Sequence, residues 1–187
     1  PPVHTIIAVE EPENSLAPHY LGRIAKQLLE ASKAGQVQSV IATHTPTLLK
    51  RVEPTAIRFL RLNDNRQTNV KYITLPAKSD EAAKYVNEAV KAYPELYFSR
   101  LVVLGEGASE MLVLPRILAA SGIIEDDVSV SVVPLGGRHV NHFWRLLNAL
   151  EIPHVTLLDL DYGRHQGGYG RVKYAVEHLY FLGKYDE

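Results

Sequence analysis

Hydrophobic positions along this chain follow two rhythms: short continuous apolar runs, and longer stretches with apolar residues three and four apart. The runs read as buried strands and the stretches as amphipathic helices, so their alternation predicts α/β units with largely parallel sheets. Thr5-Ile6-Ile7-Ala8-Val9 predicts a strand over 5–9. A polar turn then leads to a helix over 17–34, a strand over 39–43, a short helix near 46–52 and extended segments near 57–62 and 70–75, before Pro76 breaks the pattern. The stretch from Asp80 to Tyr93, with Ala83, Val86 and Val90 near one face, ends before Pro94 and reads as a connecting helix. A second block runs strand 101–104, helix 109–120, strand 128–133, helix 139–150 and strand 154–158, with a closing helix within 170–182. That is a βαβαβα unit of the doubly wound type. Phe143, Trp144 and Leu147 recur at helical spacing and are expected in its core. The pattern divides the chain into 1–76, a connector over 77–97, and 98–187, and both ends read as cut from something longer.

The chemistry lies where predicted strands stop. Leu101-Val102-Val103-Leu104-Gly105-Glu106-Gly107 puts an acid directly after a buried strand, between glycines that let the backbone turn sharply. Open α/β sheets carry their sites at such carboxyl ends. Glu110 follows four residues later, about one helical turn beyond Glu106, and can face the same crevice. Taken alone, the pair fits ordinary helix-start chemistry equally well, in which acids and a Ser109 cap satisfy free amides. A second cluster changes the balance. His154-Val155-Thr156-Leu157-Leu158-Asp159-Leu160-Asp161 ends another apolar run with two acids one residue apart, and strand alternation sends both side chains to one face. Like charges held that close repel and lose hydration together, a conflict that a hard divalent ion resolves. Four carboxylates on one sheet edge suit metal-assisted phosphoryl transfer.

Composition narrows the chemistry further. Twenty Lys and Arg against 21 Asp and Glu give a net charge of −1, so nucleic-acid binding has to come from a local patch or a metal. The 187 residues, 46% hydrophobic, suffice for one good core or two small ones and exclude a disordered or fibrous chain. With no cysteine, disulfides and thiolate zinc sites are excluded and oxygen and imidazole ligands remain. No apolar run approaches the roughly 20 residues of a membrane helix, and the first residues lack a basic segment followed by an apolar stretch. The expectation is a cytoplasmic protein.

Over about residues 98–182 these features resemble the Toprim domain shared by DnaG-type primases, topoisomerases and OLD (overcoming lysogenization defect) nucleases: a hydrophobic strand ending in Glu106, then Asp159-Leu-Asp161. The likeness is greatest to the OLD family, in which a Toprim nuclease follows an ABC-type ATPase. Glu106-Gly-Ala-Ser-Glu110, Val133-Pro134-Leu135-Gly136-Gly137 and Asp159-Leu-Asp161-Tyr-Gly163-Arg164 stand as that family's motifs do. The resemblance implies that Glu106, Asp159 and Asp161 hold metal, Mg²⁺ or Mn²⁺ as one or two ions. Glu110 would help bind a second ion, with partners further downstream. The first block is similar to the C-terminal βα part of an ABC-type ATPase. Thr5-Ile-Ile-Ala-Val-Glu10-Glu11-Pro12-Glu13 resembles a Walker B strand with its catalytic glutamate, and Asn14-Ser-Leu16-Ala-Pro18 the D-loop region. Val40-Ile-Ala-Thr-His44-Thr-Pro46 resembles the switch-histidine strand. By that resemblance Glu10 takes the acidic Walker B position, usually Asp, Glu11 polarises the attacking water and His44 contacts phosphate. Nothing resembles GxxxxGK[ST] or an LSGGQ-like signature, so ATP is expected to act only in a longer protein.

The glycine-rich loop Asp161-Tyr-Gly-Arg164-His165-Gln-Gly167-Gly168-Tyr169-Gly170-Arg171, with Arg138 at the neighbouring helix start, offers Arg138, Arg164 and Arg171 to DNA phosphates. Tyr162 and Tyr169 carry less weight, as tyrosines beside glycines are usually loop packing. The reading is a metal-dependent DNA endonuclease of the OLD type, regulated by its ATPase and dimeric as relatives suggest; the residues identify no helicase-like partner. The alternative from another class is an SMC-like ATP-dependent DNA-binding or structural protein with a non-catalytic Toprim domain. A primase or topoisomerase is disfavoured by the ATPase-like block and the lack of a tyrosine-nucleophile domain. A receiver-like domain is disfavoured by the glutamate at the first strand and the absence of a lysine ending a later one.

Overall fold

The computed structural model describes residues 4–63, 65–73, 84, 87–88, 91–135, 140–165 and 167–181. Strand β1 (Thr5–Glu10) pairs in parallel with β2 (Val37–Ala42), linked by helix α1 (Pro18–Lys33). Pro18 at the first position starts α1, where its missing N–H costs nothing. The helix buries Leu21 and Ala25 against Leu48 of the one-turn helix α2 (Pro46–Leu49), with Leu16 and Ile41 packed beside them.

Strands β3 (Arg58–Leu62) and β4 (Thr68–Tyr72) form an antiparallel hairpin, which departs from the largely parallel sheets expected of the first block. The reason is local. Asn63 closes the turn with its own side chain, its Oδ1 accepting from the Gln67 N–H at 2.8 Å, and so short a loop can join only antiparallel strands. The hairpin is tied to the second block by Arg61 Nη1, which donates to the Glu151 carbonyl at 2.8 Å, and by the Lys71–Glu151 ion pair at 2.6 Å.

The second block is the expected parallel sheet. Strand β5 (Leu101–Gly105) lies between β6 (Val130–Pro134) and β7 (His154–Thr156), giving the order β6-β5-β7. Helix α3 (Ala108–Ala120) and the one-turn helix α4 (Glu125–Val128) join β5 to β6, and α5 (Val140–Ala149) joins β6 to β7. Helix α6 (Tyr169–Phe181) follows the loop after β7. Val102 and Leu104 alternate into the core from β5 and meet the 140, 143, 144, 147 face of α5, so the expected core trio is buried. Trp144 remains satisfied because its Nε1 donates to Thr156 Oγ1 at 2.8 Å. Leu49, Ile57 and Ile73 share this core with Leu96, Leu104, Leu147 and Ile152, so packing continues across the expected limits of the first block. Most of the expected connecting helix lies outside the described residues; Lys84, Asn87, Glu88, Lys91 and Ala92 are helical. Among the described residues, no helix is long and apolar enough to cross a membrane.

A tyrosine hydroxyl is left unpaired in the core among the described residues. Tyr97 is 2% exposed, its hydroxyl has no hydrogen-bond partner among the described residues, and burial pushes its ionisation far up. Removing an unsatisfied buried hydroxyl is worth about 1 kcal/mol. Tyr97→Phe is therefore expected to raise the urea midpoint without changing the slope; a lowered midpoint would mean that the hydroxyl is satisfied, by water for instance.

Candidate functional site

Two parallel crossovers run in opposite senses across the sheet, one from β5 to β6 and one from β6 back past β5 to β7. Right-handed connections then put α3 and α5 on opposite faces, and a crevice opens beyond the carboxyl ends of β5 and β7. The acids singled out in the sequence lie at this switch point.

Glu106 is the first residue after β5. Its Oε2 accepts the Asp159 backbone N–H at 2.8 Å and its Oε1 pairs with the Arg171 guanidinium. One carboxylate thus ties the end of β5 to the loop after β7 and to the start of α6. Glu110, in the first turn of α3, turns back instead. Its Oε2 accepts the Gly107 N–H at 2.8 Å and the Ser109 hydroxyl at 3.2 Å, capping the helix. Hydrogen bonds from its own N–H and then from Gly107 N–H hold its carboxyl below the usual range. The helix start packs so tightly on the strand end that a Cβ at Gly105 would lie 2.5 Å from Glu110 Cβ.

Asp159 and Asp161 lie past β7, which ends at Thr156; one further rung, Leu157 N–H to Leu104 O at 2.8 Å, continues the ladder. The expected strand over 154–158 is therefore shorter, and strand alternation does not orient the two aspartates. The loop does. Asp161 adopts φ 49°, a left-handed conformation that short polar side chains tolerate. Gly168 N–H donates to the Leu160 carbonyl at 2.6 Å and Arg164 N–H to the Asp161 carbonyl at 3.0 Å, closing the loop on itself. Gly167 is obligatory there, since a Cβ would lie 1.9 Å from the Asp161 carbonyl oxygen. Arg171, in the first turn of α6, donates from Nε to the Asp159 carbonyl at 3.3 Å and brings Nη2 to 3.8 Å from Asp161 Oδ2. Arg164 pairs with Asp161 Oδ1 at 2.9 Å from a largely exposed position.

The structure thus gathers the carboxylates of Glu106 and Asp161 and the backbone of Asp159 around Arg171, and leaves Glu110 on its own helix start. Arg138 lies outside the described residues. Tyr162 and Tyr169 are exposed, as is Arg164. Sequence reasoning assigned Arg171 to phosphate and overlooked its bonds to the acids; the signal for them was an arginine one turn into a helix, where the macrodipole disfavours it. No three His, Asp or Glu side chains among the described residues converge closely enough to hold a metal ion as they stand. The donor set nevertheless fits one: the acidic groups are all oxygen donors, and two of the carboxylates already share a single cationic partner.

In the first block, Glu10 ends β1 opposite Ala42 and Glu11 takes φ 42°. His44 Nδ1 lies 3.2 Å from Glu11 Oε1, a contact that sequence reasoning did not anticipate. Glu13, which sequence reasoning gave no role, is the hub. Its Oε1 accepts the Thr43 hydroxyl at 2.7 Å and the His44 N–H at 3.0 Å. Burial pushes its carboxyl upward, but hydrogen bonds from its own N–H, Thr43 and His44 outweigh that and leave it low. Its signal was a third acid held by Pro12 at the end of the strand.

Residues 97–161 match the family model described as Overcoming lysogenization defect protein-like, TOPRIM domain. This part of the chain is an OLD-like Toprim domain. All four candidate site acids of the second block, Glu106, Glu110, Asp159 and Asp161, fall inside it, whereas Arg164 and Arg171 follow it. The chain is also 28% identical over 169 residues to Endonuclease GajA of Bacillus cereus (strain VD045), a match covering 88% of this chain. The chain spans 28% of that relative's length.

The capping of the Toprim helix can be measured. Glu110 has a depressed folded pKa, so its stabilisation is complete above the ordinary value of 4.5 and fades as pH falls through the lower folded value. Wild type is therefore expected to melt higher than Glu110→Gln above that pH, with the gap closing on acidification; a gap independent of pH would remove the assigned role. Gly105→Ala, which forces the helix start off the strand, should cost about 1–3 kcal/mol in denaturant unfolding. An unchanged midpoint would show that the helix start shifts freely.

Proposed function

We propose that the complete protein is a metal-dependent DNA endonuclease of the OLD family, with its Toprim site at the switch point between β5 and β7. The observation that carries this reading is the gathering of the Glu106 and Asp161 carboxylates, with the backbone of Asp159, on one cationic centre at the carboxyl edge of the sheet. The OLD-like family match and the endonuclease relative support the same chemistry.

In this reading Glu106, Asp159 and Asp161 hold Mg²⁺ or Mn²⁺, and Glu110, released from its cap, helps hold a second ion. A bound divalent ion supplies Lewis acidity for phosphodiester hydrolysis and lowers the pKa of water. The chain's own residues do the rest. Glu106 keeps the β5 end in register with the 157–161 loop, and Gly105 and Gly167 allow the close approaches that bring the acids to one edge. Arg164, exposed beside Asp161, takes a DNA phosphate, as does Arg138, and Arg171 would do so only once its bonds to the acids are released. Residues 1–76 serve as the C-terminal part of an ABC-type ATPase, in which Glu10, Glu11 and His44 face ATP only when the rest of that domain is present. The complete protein acts as a homodimer, as ATPases of this type do.

Nicking of supercoiled plasmid by the complete protein tests the reading. Nicking is expected with Mg²⁺ or Mn²⁺, is abolished by EDTA, and falls to the EDTA level in Asp159→Ala and Glu106→Gln. No nicking with either ion, with DNA binding retained, would instead favour an SMC-like DNA-binding protein with a non-catalytic Toprim domain.

A further inference from the structure

Arg171 is placed where a structural arginine has little reason to be. It sits in the first turn of α6, at the positive end of that helix's dipole. Its side chain is only 19% exposed, against 80% for Arg164. Two carboxylates and a backbone carbonyl from two loops are turned on it: those of Glu106 and Asp161, and the carbonyl of Asp159. Glu106 and Asp161 are themselves 21% and 25% exposed, so neither can rely on water alone for its charge.

We propose that Arg171 is the site's tethered counter-cation, holding the acids together in the absence of metal and competing with a divalent ion for Glu106 and Asp161. This rests on the metal-site reading above. A divalent ion among those oxygens confronts Arg171 with a like charge while the helix start already disfavours it. The guanidinium then leaves the acids, and the bonds it made to Glu106 and Asp161 pass to the ion. Arg171 thereby sets the threshold concentration of metal at which the site fills. A merely structural arginine predicts the opposite, since its loss would scatter the acids and weaken metal binding.

Mn²⁺ binding to the complete protein, followed by calorimetry and by the loss of the free-ion electron paramagnetic resonance signal, separates the two. Arg171→Met is expected to bind Mn²⁺ about tenfold more tightly than wild type, since an opposite charge within hydrogen-bonding reach typically shifts a carboxylate's affinity for a cation by that order. Without metal the variant should melt lower than wild type, and Mn²⁺ should close that gap. Arg171→Lys, which keeps one charge but cannot span both carboxylates, should fall between and serves if the Met variant does not fold. Lys173→Met removes the same charge from an exposed position and should leave affinity within about twofold. Unchanged or weaker binding in both Arg171 variants, with wild type binding Mn²⁺, overturns the inference alone, as does equal tightening by Lys173→Met. Absence of binding in wild type and all variants overturns the metal-site reading itself, and this inference with it.

Discussion

The main-chain ladder that seats β5 between two parallel neighbours fixes where the acids can stand. Its rungs run on past the strands themselves: Leu135 N–H donates to the Gly105 carbonyl on one side, and Leu157 N–H to the Leu104 carbonyl on the other. Register between β5 and β7, Val103 opposite Val155, therefore sets the Asp159 N–H within reach of Glu106. A one-residue slip would move every side chain of β7 to the other face and separate those groups. The hydrogen bond from buried Trp144 to Thr156 opposes the slip, because it needs Thr156 on the core face, so the hydrophobic core and the acidic edge are set by the same pairing.

Much of this was legible in the sequence because the periodicities are strong. The apolar run 101–104 and the 140, 143, 144, 147 stripe leave little freedom in what they become, and the order of the elements followed. The antiparallel sense of β3 and β4 was not legible in the same way, since extended segments carry no direction and the decision lies in the Asn63 turn. The positions of the acids were readable as strand ends, but not their directions. Those of Asp159 and Asp161 depend on a loop in which Asp161 is left-handed and Gly167 lies against its carbonyl, a tertiary closure no period encodes. Glu110 shows the limit most clearly. Its spacing from Glu106 fits both a shared crevice and a helix cap, and the structure gives it to the cap.

That cap and the site are not in conflict energetically. Glu110 makes its bonds at an accessible helix start, where water replaces a lost hydrogen bond at small cost. Glu106 is different, because its partners come from two other elements and its surroundings are largely closed. Moving Glu110 is a local rearrangement of one turn, whereas moving Glu106 undoes the link between β5, the 157–161 loop and α6.

The two blocks also invite comparison, since each follows a parallel strand with acids and meets them with a group from a neighbouring element. At His44 and Glu11 the side chains are 64% and 45% exposed, so solvent screens the contact and it constrains little. The constraint there comes from Glu13, whose side chain is 11% exposed and whose hydrogen bonds to Thr43 and His44 fasten the end of β1 to the end of β2. At Glu106 and Arg171 one pair does both jobs: it is shielded enough to be strong and spans enough chain to fix the geometry. Its charges are consequently felt by anything that enters the crevice. An anion would meet Glu106 and Asp161 before it met an uncompensated cation, while a divalent cation can take over the role the guanidinium already fills.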